Sequence, residues 1–355
     1  MNKSIIRYIL GMILKIEGFL LTIPCLTALI YGERQGLVYV IVALACIITG
    51  TLVSLKKPAN YVIYLKEGCI STALSWIVMG MAGAVPFVLT GEIPSYTDAL
   101  FETISGFTTT GASILNDIEA LSRCSLMWRS FTHWIGGMGV LVFLIAIIPM
   151  SGGSNINLMR AESPGPSVGK LVPKVRYTAR LLYVFYFGLT FLEFLFLIFA
   201  GMPVFDAITT SFSTAGTGGF GIKNDSLTSY SVSVQWIVTV FMILFGINFN
   251  AYYLIFFGNI KKVLELEEVR YYLGIILFSI VVISCNIYSM CQGLFDTITK
   301  SSFQVASIIT TAGFTTTDFD LWPKTSQIIL VMLMFVGACA GSTGGGIKVS
   351  RFVIL

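Results

Sequence analysis

Charge is scarce in this sequence: Asp, Glu, Lys and Arg make up 11% of its 355 residues, against 55% hydrophobic, and the mean hydropathy is +0.85. One soluble core cannot hide that much apolar surface from water, so a freely soluble globular domain is excluded. Histidine occurs once, as His133, which rules out a His-rich metal site or paired-histidine chemistry. No GxSxG motif accompanies it, and the chain is not read as an enzyme. The seven cysteines (Cys25, Cys46, Cys69, Cys124, Cys285, Cys291 and Cys339) show no CxxC spacing and fall mostly in apolar runs, as small hydrophobes do. A phosphate loop is missing as well, because GSTGGGIK lacks the GK[ST] order and Ile347 precedes its lysine.

What is present is a series of apolar runs. Crossing a hydrocarbon layer of roughly 30 Å takes about 20 residues of helix. Eight runs qualify, near 9–31, 36–55, 69–90, 125–149, 178–202, 231–257, 271–291 and 326–347. The first follows Lys3 and Arg7 but contains Lys15 and Glu17 and meets no small-residue cleavage site, so it reads as a retained helix rather than a signal peptide. Basic residues crowd alternate connections: Lys56, Lys57 and Lys66; Arg160, Lys170, Lys174, Arg176 and Arg180; Lys261, Lys262 and Arg270. By the positive-inside rule these are cytoplasmic, as are the N-terminus and Lys348 and Arg351. The other connections carry Glu33, Glu92, Asp98, Asp117, Glu119, Asp206, Asp225, Asp318 and Asp320, an acidic outer face suited to drawing cations.

Three outer connections repeat one pattern. With Gly111, Gly219 and Gly313 as position zero, they read SGFTTTGAS (105–113), STAGTGGFG (213–221) and SIITTAGFT (307–315). Position −6 is Ser105, Ser213 or Ser307, and position −2 is Thr109, Thr217 or Thr311. The stretches 96–107, 204–215 and 298–309 are too short to span and are expected to be re-entrant helices. Irregular backbone at membrane depth survives only where protein or water satisfies it, as along an ion path. A Thr/Gly segment can offer carbonyl oxygens in place of a monovalent cation's hydration shell. None of the aligned stretches holds a carboxylate, which favours potassium over calcium. Further on, Gly341, Ser342, Thr343, Gly344, Gly345 and Gly346 interrupt the last run ahead of Lys348, a stretch expected to be a gating loop because interior glycines cost a helix about 1 kcal/mol each. Gly136, Gly137 and Gly139 in HWIGGMG are read as helix-packing positions, and Asn248 and Asn250 as bonding between helices.

The segments TTTGAS (108–113), TAGTGGF (214–220), TTAGFTTTD (310–318) and above all AGSTGGGIK (340–348) resemble the TrkH/KtrB superfamily of potassium transporters, with the TrkH branch the better match. The resemblance covers essentially the whole chain. It implies an all-α membrane protein with pseudo-fourfold span–pore-loop–span repeats, three of them present here behind an N-terminal pair of helices. The divisions expected are 1–60 for the helix pair, then 61–152, 153–260 and 261–355 for the repeats. It implies a potassium filter of Thr108, Thr109, Thr110, Gly111, Gly216, Thr217, Gly218, Gly219, Thr310, Thr311, Ala312 and Gly313, and a gating loop of Gly341 to Gly346 with Lys348. A serine at the first filter glycine goes with sodium permeation in related transporters, so Gly111 points to potassium. No cofactor is implied beyond the potassium ions, and nucleotide is expected on a TrkA-like cytoplasmic subunit. A homodimer in the bacterial inner membrane, surrounded by lipid and without nucleic acid, completes the picture.

The filter glycines are 108 and 94 residues apart, so a fourth repeat is expected beyond Leu355, and the chain alone is not expected to conduct selectively. Ion-coupled symport with protons or sodium is the alternative mechanism. It needs an ionisable residue at midplane, and Glu193 is the main one on offer.

Overall fold

The structure, a computed structural model, describes residues 2–58, 64–139, 175–256, 258, 263 and 265–355. Its regular elements are helices, as an apolar chain in lipid requires, since only intra-helical bonds can satisfy the backbone there. They fall into two compact units, Met1–Tyr183 and Val184–Leu355.

In the first unit, α1 (Lys3–Leu20) and α2 (Thr22–Tyr31) follow one another, then α3 (Gly36–Ser54), α4 (Leu65–Leu89), the short α5 (Tyr96–Phe107) and α6 (Arg123–Met138). The first apolar run is thus two helices, broken at Leu21; Pro24 in the first turn of α2 has no N–H to continue the α1 ladder. α1 lies against α3 at backbone distance: a Cβ on Gly11 would fall 2.9 Å from the carbonyl oxygen of Gly50, and one on Gly50 2.6 Å from that of Gly11. Such close approach replaces the missing hydrophobic drive between helices in lipid. Leu29, Leu37 and Ile41 are exposed, the surface a bilayer covers.

The second unit contains most of α7 (Val175–Phe199), then α8 (Val204–Ala215), α9 (Val232–Phe245), α10 (Phe249–Phe256), α11 (Glu267–Ile287), α12 (Leu294–Ile309), α13 (Lys324–Phe335) and α14 (Val349–Ile354). Its core joins Tyr272, Ile283, Ile309, Leu330 and Cys339, with a second cluster around Val238, Met242, Phe303 and Phe314.

Among the described residues five helical stretches are long and apolar enough to cross a membrane, six if α9 and α10, bent by 92°, count as one span. The expected continuous spans 231–257 and 326–347 are corrected: the first breaks at Gly246–Asn248, and the second is helical only to Phe335. The run 125–149 is α6 as far as Met138; residues 140–149, Arg160, Lys170, Lys174, Lys261, Lys262 and the side chain of Arg176 lie outside the described residues. Part of the acidic face expected to be the outer one has a structural task. Glu33 accepts the amides of Arg123 (2.7 Å) and Cys124 (2.9 Å), and Glu92 accepts that of Ser122 (2.7 Å) and the hydroxyl of Ser125. The two carboxylates thereby satisfy the open amides at the start of α6, where the helix dipole also favours negative charge.

Candidate ion pathway

The three short helices stop at the same register. α5 ends at Phe107, α8 at Ala215 and α12 at Ile309, each four residues before its reference glycine. Each end is closed by the same pair of bonds. The amide at −1 donates to the carbonyl at −6 (Thr110 to Ser105, 2.9 Å; Gly218 to Ser213, 3.0 Å; Ala312 to Ser307, 2.9 Å). The amide at −2 donates to the carbonyl at −5 (Thr109 to Gly106, 3.0 Å; Thr217 to Thr214, 2.9 Å; Thr311 to Ile308, 3.0 Å). This is a Schellman cap, whose left-handed residue is usually glycine. Here it is threonine every time, with φ of 54° at Thr109, 50° at Thr217 and 60° at Thr311. A β-branched residue held there costs roughly 1–3 kcal/mol, a strain typical of functional sites.

The caps use up the carbonyls at −5 and −6 and leave those nearer the glycine. Among the described residues no hydrogen-bond donor reaches the carbonyl oxygens of Thr108, Thr109, Thr110 and Gly111, of Thr217, Gly218 and Gly219, or of Thr310, Thr311, Ala312 and Gly313. The carbonyl of Gly216 accepts the neighbouring Thr217 hydroxyl at 2.7 Å. Within the second unit two of these segments touch along their backbones: a Cβ on Gly219 would fall 2.0 Å from the carbonyl oxygen of Ala312. The first-unit segment has the same internal geometry, and Gly136 lets α6 press on its helix end, where a Cβ would meet the carbonyl of Phe107 at 2.0 Å.

The glycine-rich stretch forms a loop closed at its base, where Gly337 donates to Ile347 (2.9 Å) and Ile347 to Phe335 (3.2 Å). Lys348 donates its ammonium to the Gly344 carbonyl inside the loop. The loop fills the break between α9 and α10. Helix α9 leaves its last carbonyls without helical partners, and each finds another: Ile243 accepts Tyr272 (3.2 Å), Leu244 accepts Tyr252 (2.6 Å), Phe245 accepts the Thr343 hydroxyl (3.2 Å) and Gly246 accepts the Cys339 amide (3.0 Å). In return the Phe249 amide donates to the Gly341 carbonyl at 3.0 Å. Two broken spans thus satisfy one another's backbones. Asn248, expected to bond between helices, instead accepts the Asn250 amide (2.9 Å) at the start of α10.

The tip of the loop rests on the strained threonines. The Thr217 hydroxyl, its one hydrogen shared with the nearer Gly216 carbonyl, lies 3.1 Å from the Thr343 carbonyl, and the Gly345 amide donates to the Thr311 hydroxyl at 2.7 Å. Sequence reasoning missed Glu268, in the first turn of α11. Its carboxylate accepts the amides of Ala340 (2.6 Å) and Ser350 (3.2 Å), one on each side of the loop. The pair Glu267–Glu268 at a helix start was visible in the sequence, but a contact spanning 72 and 82 residues was not.

These features define an integral membrane protein built from repeated units of a span, a short helix, a Thr/Gly segment and a second span. The chain belongs to the TrkH family of cation transport proteins, whose model matches residues 36–284 and 273–355. It is 36% identical to the Trk system potassium uptake protein TrkH of Escherichia coli K12 and 35% identical to that of Salmonella typhimurium, in both cases over 100% of this chain and 75% of the relative. The crystal structure of the potassium transporter TrkH from Vibrio parahaemolyticus superposes with a TM-score of 0.87 at 31% identity, covering 100% of this chain and 74% of that one.

Proposed function

We propose that this chain is the pore-forming subunit of a potassium uptake system. Potassium passes along the carbonyl oxygens of Thr108–Gly111, Gly216–Gly219 and Thr310–Gly313, and the loop Gly341–Gly346 with Lys348 gates the path. The observation that carries this reading is the thrice-repeated cap with donor-free carbonyls beyond it, an arrangement suited to replacing a hydration shell. The expected divisions at 61, 153 and 261 delimit the three repeats. The Trk system relatives act within a multi-component system, and a homodimer in the bacterial inner membrane, N-terminus cytoplasmic, working with a TrkA-like nucleotide-binding subunit, is the assembly we propose.

The test is growth of an uptake-deficient bacterium at limiting potassium, with 86Rb+ uptake measured in the same cells. Expression of the gene restores both, and restoration of neither with protein present in the membrane sinks the proposal. Ion-coupled symport has its own observation, since Glu17 and Glu193 are both fully buried in apolar helices. Uptake into vesicles without a proton or sodium gradient supports the pore, and uptake that requires one supports symport.

A subtler variant tests the gate. Thr311→Val keeps the β-branched shape and removes the acceptor of the Gly345 amide, so by a net hydrogen-bond value of about 0.5–1.5 kcal/mol, 86Rb+ uptake rises roughly two- to tenfold. Unchanged uptake means that the contact does not hold the loop.

A further inference from the structure

The first repeat carries an ion pair that the proposed pathway does not use. Glu102, at position −9 on α5, bonds Arg129 of α6, with both side chains almost wholly buried, at 0% and 2% exposure. The same carboxylate accepts the Ser113 hydroxyl (3.0 Å) and the Ile114 amide (2.9 Å). These residues are the second and third after Gly111, on the limb by which the chain leaves the Thr/Gly segment. One acidic group therefore ties together the short helix, the outgoing limb and the second span of the repeat.

A buried ion pair is a poor device for stability alone, because desolvation consumes most of the Coulomb gain. What an apolar pair could not supply is a charge-assisted grip on a backbone amide and a hydroxyl. The third repeat does the same with neutral groups. Gln304, again at −9, donates to the Thr317 carbonyl at 3.4 Å, and Ser307 donates to the Phe314 carbonyl at 2.6 Å. In the second repeat the −9 position is Thr210, and no bond joins it to the outgoing limb among the described residues. The hold exerted from position −9 thus differs between repeats in chemistry: a carboxylate in the first, a neutral amide in the third.

We infer that Glu102 and Arg129 are a positioning pair for ion selection: by pinning Ser113 and Ile114 they fix the spacing of the Thr108–Gly111 carbonyls against collapse onto a smaller cation. The inference rests on the reading of those carbonyls as a potassium filter. Neither residue touches the ion, and their effect falls on the choice between cations rather than on capacity for transport.

The experiment measures 86Rb+ and 22Na+ uptake in the same vesicles for the wild type, Glu102→Gln, Arg129→Gln and Ser113→Ala, with protein amounts matched by immunoblot. Loss of the charge-assisted grip in Glu102→Gln is expected to lower the Rb+/Na+ ratio about tenfold, with Rb+ uptake maintained, and Arg129→Gln follows it. Ser113→Ala removes one donor and leaves the buried pair intact, so it accumulates even if the charge-neutralised variants do not, and it lowers the ratio about threefold. A wild-type ratio in Ser113→Ala and in whichever of the other variants accumulate overturns the inference while leaving the filter reading in place. Wild-type protein that does not discriminate Rb+ from Na+ even when expressed from its whole reading frame, with the fourth repeat expected beyond Leu355 in place, refutes the filter reading, and the positioning pair with it.

Discussion

Gly219→Ala abolishes potassium uptake while the protein still reaches the membrane. The residue sits at φ +77°, where an alanine is strained by about 1 kcal/mol, and the added methyl carbon would fall 2.0 Å from the Ala312 carbonyl oxygen. Two bonded segments form that contact and neither can withdraw cheaply, because Ala312 donates its amide to Ser307 and Gly218 donates to Ser213. The displaced group is a proposed ion ligand, so a sub-ångström shift is felt in flux before it is felt in folding. Uptake of 86Rb+ is expected to fall about 100-fold or more, the response of a coordination shell to lost geometry. Gly188→Ala is the control: that glycine lies inside α7 with nothing within 4 Å of the added carbon, and alanine favours the helix. Normal uptake in Gly219→Ala means that the contact between the two segments is not part of the pathway.

The second large effect has the opposite sign. Glu268→Ala is expected to raise uptake, because the carboxylate holds the amides of Ala340 and Ser350 on either side of the glycine-rich loop. A hydrogen bond to a charged group contributes about 1.5–3 kcal/mol, so losing two weakens the closed position by about 3 kcal/mol or more. That is a shift of over 100-fold in the closed-to-open ratio, and the flux gain saturates once the loop is mostly open. Both amides share one carboxylate oxygen, so Glu268→Gln keeps the acceptor but loses its charge, and falls between wild type and Glu268→Ala. Shortening Gly344–Gly346 acts at the tip and raises uptake as well, since the contacts to Thr217 and Thr311 are then out of reach. Uptake is measured in cells lacking the cytoplasmic regulatory subunit proposed above, so that the loop's own equilibrium is read. Unchanged flux in both Glu268→Ala and the shortened loop removes the gating role.

The short helices were legible because three signals agreed: length too small to span, serine at −6 and threonine at −2. The predicted ends at 107, 215 and 309 coincide with the observed ends of α5, α8 and α12. The Schellman geometry was not legible, since a sequence rule would have placed glycine where Thr109, Thr217 and Thr311 stand. The break at Gly246–Asn248 was hidden for a different reason. It contains no proline, and the groups that make it tolerable, Cys339 and Thr343, lie about a hundred residues away in the chain.

By itself the sequence determined the membrane class, the register of the repeated Thr/Gly segments and the stretch that cannot remain helical, because hydropathy, helix length and glycine content are properties of local residues. Only the tertiary structure decided that Glu33 and Glu92 cap a helix rather than wait for cations, that Glu102 and Arg129 brace a limb, and that Glu268 clasps the loop. Each of those carboxylates is an ordinary acidic residue in the sequence, and its role is set by which amides the fold brings within 3 Å or so of it, a long-range fact that no local pattern encodes.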